Sequence, residues 1–166
     1  MSAAEPRAPK LPPSLTLLLA PITRSLVGAE QAAFLGRLER LAAERYRAWA
    51  AQLPAHAETL LACGASEERI ADRAERLFPM SAAQAAKLDL FVPEVRRTYG
   101  ALFVGLSLRE QLALQASAER QGADAWRALA VALALPHAMR EKLDVSAREE
   151  EESALRLDAL IAELAR

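Results

Sequence analysis

Residues 35–53, LGRLERLAAERYRAWAAQL, decide the fold class. Leu35, Leu38, Ala42, Tyr46, Trp49 and Leu53 recur at steps of three and four, which places them on one face of an α-helix. Arg37, Arg40, Glu44 and Arg47 take the other faces. The spacing predicts a helix over about 29–53, and Pro54 begins a new short helix as its first residue. The same pattern continues along the chain. Alanine, leucine, arginine and glutamate dominate, and these lose little rotamer freedom in a helix. Valine, isoleucine and aromatic residues are sparse, so strands have little material.

Moving toward the C-terminus, Gly64 reads as the end of the helix begun at Pro54, and Ser66 as the cap of the next, with Glu67 and Glu68 in its first turn. Ile70, Ala71, Ala74 and Leu77 form a buried stripe, and Pro79 stops that helix. Ser81 with Gln84 is a capping box, and the helix behind it runs to about Leu90. Pro93 opens another, with Val95, Tyr99, Leu102, Phe103 and Leu106 inward. Ser107 with Glu110 is a second capping box, opening a helix to about Arg120. Gly122 then separates it from a helix capped by Asp124 and kinked at Pro136. Ser146 with Glu149 reads as a third capping box.

Toward the N-terminus, Ser14 caps a short helix that Pro21 breaks or kinks, and a second stretch runs from Ile22 to about Gly28. Residues 1–13, with Pro6, Pro9, Pro12 and Pro13, read as a flexible arm. The expected architecture is therefore an all-α, compact bundle of about eight or nine short helices, one domain over 14–166.

Composition narrows the function classes. A hydrophobic content of 52% with 26% charged residues belongs to a folded chain, and a net charge of −1 lacks the basic footprint of a nucleic-acid binder. No apolar run approaches the ~20 residues that span a bilayer. Leu15 to Ala20 imitates a signal-peptide core but is short and ends at Pro21, so secretion is not expected. The lone cysteine, Cys63, excludes an internal disulfide and fits a reducing, cytoplasmic setting.

Candidate chemistry is sparse. His56 and Cys63, seven apart, would stand ~10.5 Å apart on a helix, too far for one zinc ion to bridge. His137 and Glu141 sit four apart and read as a surface pair. No Glu-x-x-His spacing exists, so a ferritin-like di-iron bundle, which needs two such motifs, is not expected, and no glycine pattern makes a phosphate loop. Glu149 to Glu152 reads either as a first-turn charge run behind Ser146 or as a docking patch or divalent-ion site, the first being favoured. The segment from Ser66 to Leu90 has the outline of a helix-turn-helix, but its second helix offers only Gln84 and Lys87 to a base. No catalytic residue, cofactor-binding residue or metal ligand is expected on these grounds.

Four motifs carry a family resemblance. They are Cys63-Gly64-Ala65-Ser66-Glu67-Glu68-Arg69-Ile70-Ala71, Lys87-Leu88-Asp89-Leu90, Pro93-Glu94-Val95 through Tyr99 and Leu102, and Asp124-Ala125-Trp126-Arg127-Ala128-Leu129-Ala130. In order and approximate spacing they resemble the C-terminal helical region of the large bacterial NAD-specific glutamate dehydrogenases, over about residues 46–166. That family's dehydrogenase core has no counterpart here. The resemblance implies a non-catalytic helical module for assembly or regulation, working through a protein partner or self-association and without a cofactor. The stripe Leu157, Ile161 and Leu164 is the candidate interface, with closure of the domain's own core as the favoured reading. The alternatives are a helix-turn-helix DNA-binding regulator and a small helical ligand-binding protein or enzyme using His56 or His137. A membrane association is not expected, and a nucleic-acid partner is disfavoured.

Overall fold

The computed structural model describes residues 14–166, and the expected arm at 1–13 lies outside the described residues. Among the described residues there are seven α-helices and no strand. They are α1 (Leu15–Thr23), α2 (Ala29–Gln52), α3 (Ala57–Leu77), α4 (Ala82–Asp89), α5 (Val92–Ala101), α6 (Leu108–Ala132) and α7 (His137–Glu163), with one 3₁₀ turn at Pro54–His56. None of these helices is long and apolar enough to cross a membrane.

The four long helices form the frame. Helices α2 and α3 make one antiparallel hairpin, α6 and α7 a second, and α3 packs on α7. Ion pairs lace the hairpins from outside. Arg40 reaches Glu68, Asp72 and Glu75 across α2 and α3, and Arg127 holds Asp144 and Glu151 across α6 and α7. Arg69 and Arg73 of α3 both bind Glu149 of α7 at 2.8 Å. The short helices α1, α4 and α5 lie against the α2 side. Leu19, Ile22, Leu88 and Val95 pack there on Phe34 and Leu41.

The structure has fewer helices than the eight or nine expected, because three apparent caps lie inside long helices. Helix α3 runs unbroken through Gly64 and Ser66. Gly64 sits against α2, where a Cβ would lie 3.2 Å from the Tyr46 Cβ, so the glycine permits close helix packing and ends nothing. The Ser66 hydroxyl donates back to the Ala62 carbonyl. Helix α6 runs through Gly122 and Asp124, and α7 through Ser146. Ser146 is buried and accepts from Arg73 at 2.8 Å. Packing against a neighbour outweighs local breaker propensity at all three sites.

The capping boxes at Ser81 and Ser107 form as expected, and each opens a helix. Helix α1 continues through Pro21 to Thr23, and the chain then turns at Gly28, whose φ of +52° suits glycine. Pro136 kinks nothing. Helix α6 has already ended, Ala134 takes the left-handed conformation at φ +48°, and Pro136 caps α7.

Candidate functional site: a buried carboxylate layer

Each of the four long helices carries a glutamate in the middle of its apolar stripe. On α2 the series is Ala32, Glu39, Tyr46; on α3 it is Leu60, Glu67, Ala74. On α6 it is Leu112, Glu119, Trp126, and on α7 it is Leu143, Glu150, Leu157. Every member of the four series is buried. A spacing of seven keeps residues on one helix face, so the fold drives all four glutamates inward. They form a polar layer between two apolar ones. One apolar layer holds Ile70, Trp126 and Leu143, and the other holds Tyr46, Leu60, Leu112 and Leu157.

The carboxylates converge. One oxygen each from Glu39, Glu67 and Glu150 lie within 4.8 Å of one another. Glu119 is within hydrogen-bonding reach of Glu67 and Glu150. A ring of donors orients the group. The Trp126 indole N–H is shared between Glu39 Oε1 at 3.2 Å and Glu150 Oε1 at 3.3 Å. Glu119 Oε1 accepts from the Tyr46 hydroxyl at 2.7 Å and from Gln115 Nε2 at 2.5 Å. The Ser153 hydroxyl lies 3.4 Å from Glu67 Oε1. The donors run out before the acceptors do. Among the described residues, Glu67 Oε2 and Glu119 Oε2 are fully buried and have no hydrogen-bond partner.

In so dry a place Glu39, Glu67 and Glu150 do not keep their ordinary acidity. Burial, with Glu119 beside it, pushes Glu39 up to about 8. Burial and the neighbouring carboxylates raise Glu67 and Glu150 well above the usual range. Tyr46 is raised by the same burial and by Glu119. Arg45 stops one residue short of the layer. Its Nη1 donates to Gln115 Oε1 at 2.8 Å, and Gln115 in turn donates to Glu119.

A pocket of about 390 Å³ opens onto this layer between α2 and α6, roofed by α1 and α5. Glu39, Glu119 and Glu150 form its polar floor, and Leu15, Leu19, Leu35, Leu38 and Leu41 its apolar wall. Gly122 also lines it, leaving room for the Glu150 carboxylate. The arrangement thus combines a set of hard oxygen ligands, a shell of orienting donors and access for a small molecule.

Residues singled out from sequence fall elsewhere. His56 closes the 3₁₀ turn, 3.6 Å from Glu163, while Cys63 is buried on α3 with its thiol pushed up to about 11 by burial. His137 and Glu141 face each other at 3.8 Å on the exposed start of α7. Lys87 of the helix-turn-helix outline binds Glu30 at 2.8 Å, and Gln84 closes the capping box. The carboxylates of 149–152 diverge around mid-helix. Glu149 pairs with Arg69 and Arg73, Glu151 with Arg127 and Glu152 with Arg156, while Glu150 alone enters the core. Of the expected interface stripe, Leu157 is fully buried, Ile161 packs on the same cluster and Leu164 is 37% exposed.

No family model, curated protein or solved structure matches this chain. Sequence reasoning expected no metal ligand and singled out none of the four glutamates as a group. The signal that marks them is a glutamate with a buried partner seven residues to either side, repeated on four helices.

Proposed function

We propose that this chain is a metal-binding helical protein whose core holds two hard divalent cations, such as Mn²⁺ or Fe²⁺, between four glutamates. The observation that carries the reading is the convergence of four buried carboxyl groups, two of whose oxygens, Glu67 Oε2 and Glu119 Oε2, accept from no N–H or hydroxyl donor among the described residues. Leaving an acceptor unpaired in a core costs about 1–3 kcal/mol, and more if it is charged. An uncompensated buried ion costs several kcal/mol. Four ionised carboxylates carry four negative charges, which two divalent cations neutralise. Carboxylate oxygens suit hard ions, and the absence of histidine and thiolate ligands argues against zinc and copper. Trp126, Tyr46, Gln115 and Ser153 then act as the outer shell that fixes each ligand's orientation. The pocket gives a bound cation a face open to a small molecule.

Metal loading tests this directly. Purified protein is stripped with chelator, incubated with Mn²⁺ and desalted, and the retained metal is counted. Two ions per chain are expected, with a spin-coupled electron paramagnetic resonance signal from the neighbouring pair. The double variant Glu67→Gln, Glu119→Gln keeps the shape and removes two charges, and it should lose at least one ion. Absence of retained metal in a folded wild-type protein, or loading unchanged in that variant, would overturn the reading.

A further inference from the structure

Arg45 stands apart from the other half-buried arginines of the described residues. Arg37, Arg40, Arg73, Arg127 and Arg156 each hold a carboxylate. Arg45 lies in the pocket wall, partly withdrawn from solvent, and its polar partner among the described residues is the neutral Gln115. Its guanidinium is held between aromatic rings, 4.6 Å from the Tyr99 centroid and 4.5 Å from that of Phe103. Those rings fix its position and offset part of its desolvation, but they do not neutralise it. A partly buried guanidinium with free donors is a ready partner for a planar anion.

The pocket gives that anion a shape. Its lining along α2 runs from Gln31 to Arg45, fourteen residues, or roughly 21 Å of helix. Across from it α6 contributes small residues, Ala118, Ala125 and Ala128 among them. The result is an elongated apolar trough, closed over by Leu15 and Leu19 of α1, with one cation at its end. The glutamate layer lies part-way along, because Glu39 is six residues, or ~9 Å, from Arg45 on the same helix. A negative head is drawn to Arg45, the cation at the end of the trough.

We propose that the pocket binds a linear aliphatic carboxylate, its head on Arg45 and its chain running along α2 past the glutamate layer. The proposal deepens the metal reading and rests on it only for placing the middle of the chain beside the cations. Binding of the acid itself requires only the trough and Arg45.

The test uses stripped protein and metal-loaded protein, with dodecanoate, dodecanol and dodecylamine as probes, each displacing a fluorescent fatty acid. Dodecanoate is expected to bind at least tenfold more tightly than dodecanol, and dodecylamine more weakly still. In Arg45→Gln the advantage of dodecanoate over dodecanol should vanish while dodecanol binding stays the same. Ala125→Phe, which fills the trough, should weaken both. Arg45→Gln should still take up Mn²⁺, so loss of acid binding with intact metal loading separates this proposal from the metal reading. Equal affinity for dodecanoate and dodecanol in the wild-type protein would overturn it, with no variant needed. So would a dodecanoate preference that survives Arg45→Gln.

Discussion

Gly122 of α6 faces the carboxylate of Glu150 on α7 so closely that a Cβ at Gly122 would lie 2.8 Å from Oε1 and 2.9 Å from Cδ. The glycine stands mid-helix, where alanine would be favoured by about 1 kcal/mol. Its side-chain-free face instead makes room for a charged group. Gly122→Ala should therefore gain helix propensity and displace Glu150 from the Trp126 N–H, a loss of about 1–3 kcal/mol. Thermal stability of the stripped protein is expected to change little or fall slightly. Metal affinity should fall by tenfold or more, as for other disturbed ligand positions. Calorimetric titration with Mn²⁺, beside a melting curve, checks both halves. An unaltered affinity would mean that the glycine serves helix packing alone.

The carboxylate layer also sets how stability depends on pH. Glu39 is raised to about 8, and Glu67 and Glu150 well above their ordinary value, by burial and mutual repulsion. The folded chain thus keeps protons that the unfolded chain has released above about pH 4.5. Where the native state binds more protons, stability falls as pH rises. Metal-free protein should be most stable near pH 5 and lose stability progressively toward pH 8. Each group that keeps its proton across the window contributes about 1.4 kcal/mol per pH unit, so the melting temperature should fall continuously toward pH 8. Metal must displace the same protons, so its affinity rises across that window. Melting curves with and without Mn²⁺ should diverge as pH increases. A metal-free protein equally stable at both ends of the window would show that the carboxylates are not held protonated.

The helical class was legible because the apolar spacing of Leu38, Ala42, Tyr46 and Trp49 recurs along the chain, and the capping boxes at Ser81 and Ser107 act locally. The three misplaced boundaries share one cause. Gly64, Gly122 and Ser146 carry the local chemistry of helix ends, but each is set by a partner on another helix: Tyr46, Glu150 and Arg73. A single chain read linearly does not reveal that partner. The same holds for the site. Glu39 and Glu119 are eighty residues apart and look like ordinary charges beside Arg40 and Arg120. Only the stripe positions betray them, and Glu150 was further hidden inside a run of four glutamates. The pocket depends on helices α1 and α5 roofing the α2 and α6 seam, which no local pattern specifies.

Tyr46 tests whether the donor shell is tuned to the centre. Its hydroxyl donates to Glu119 Oε1 at 2.7 Å, and its ring packs edge-on to Trp49 at 5.7 Å. Tyr46→Phe keeps the ring and removes one donor from a carboxylate that already has a partnerless oxygen. The stripped variant should be destabilised by about 1–3 kcal/mol in denaturant melts. Loaded with metal it should lose affinity 10- to 100-fold. Tyr46→Leu, which also removes the ring, should cost more stability but no more affinity. A Phe variant that binds metal like the wild type would confine Tyr46 to packing.

Ile161 decides between the two uses of the last helix. Leu157 is already inside, against Tyr46, Leu60 and Leu112, and Ile161 lies one turn further on the edge of the same cluster. Leu164 is more exposed, and the helix ends before it at Glu163. If the stripe closes the chain's own core, a carboxylate at 161 meets an apolar environment without a donor. Ile161→Asp should then cost about 2–4 kcal/mol, at the upper end of single-residue effects. If Ile161 and Leu164 instead meet a partner, the variant should melt like the wild type and change only its sedimentation. The packing of Ile161 on the cluster favours the first outcome. Leu164→Asp serves as the companion, because at its more exposed position a change in sedimentation with an intact melt points to assembly, while no change in either removes this end of α7 from any interface.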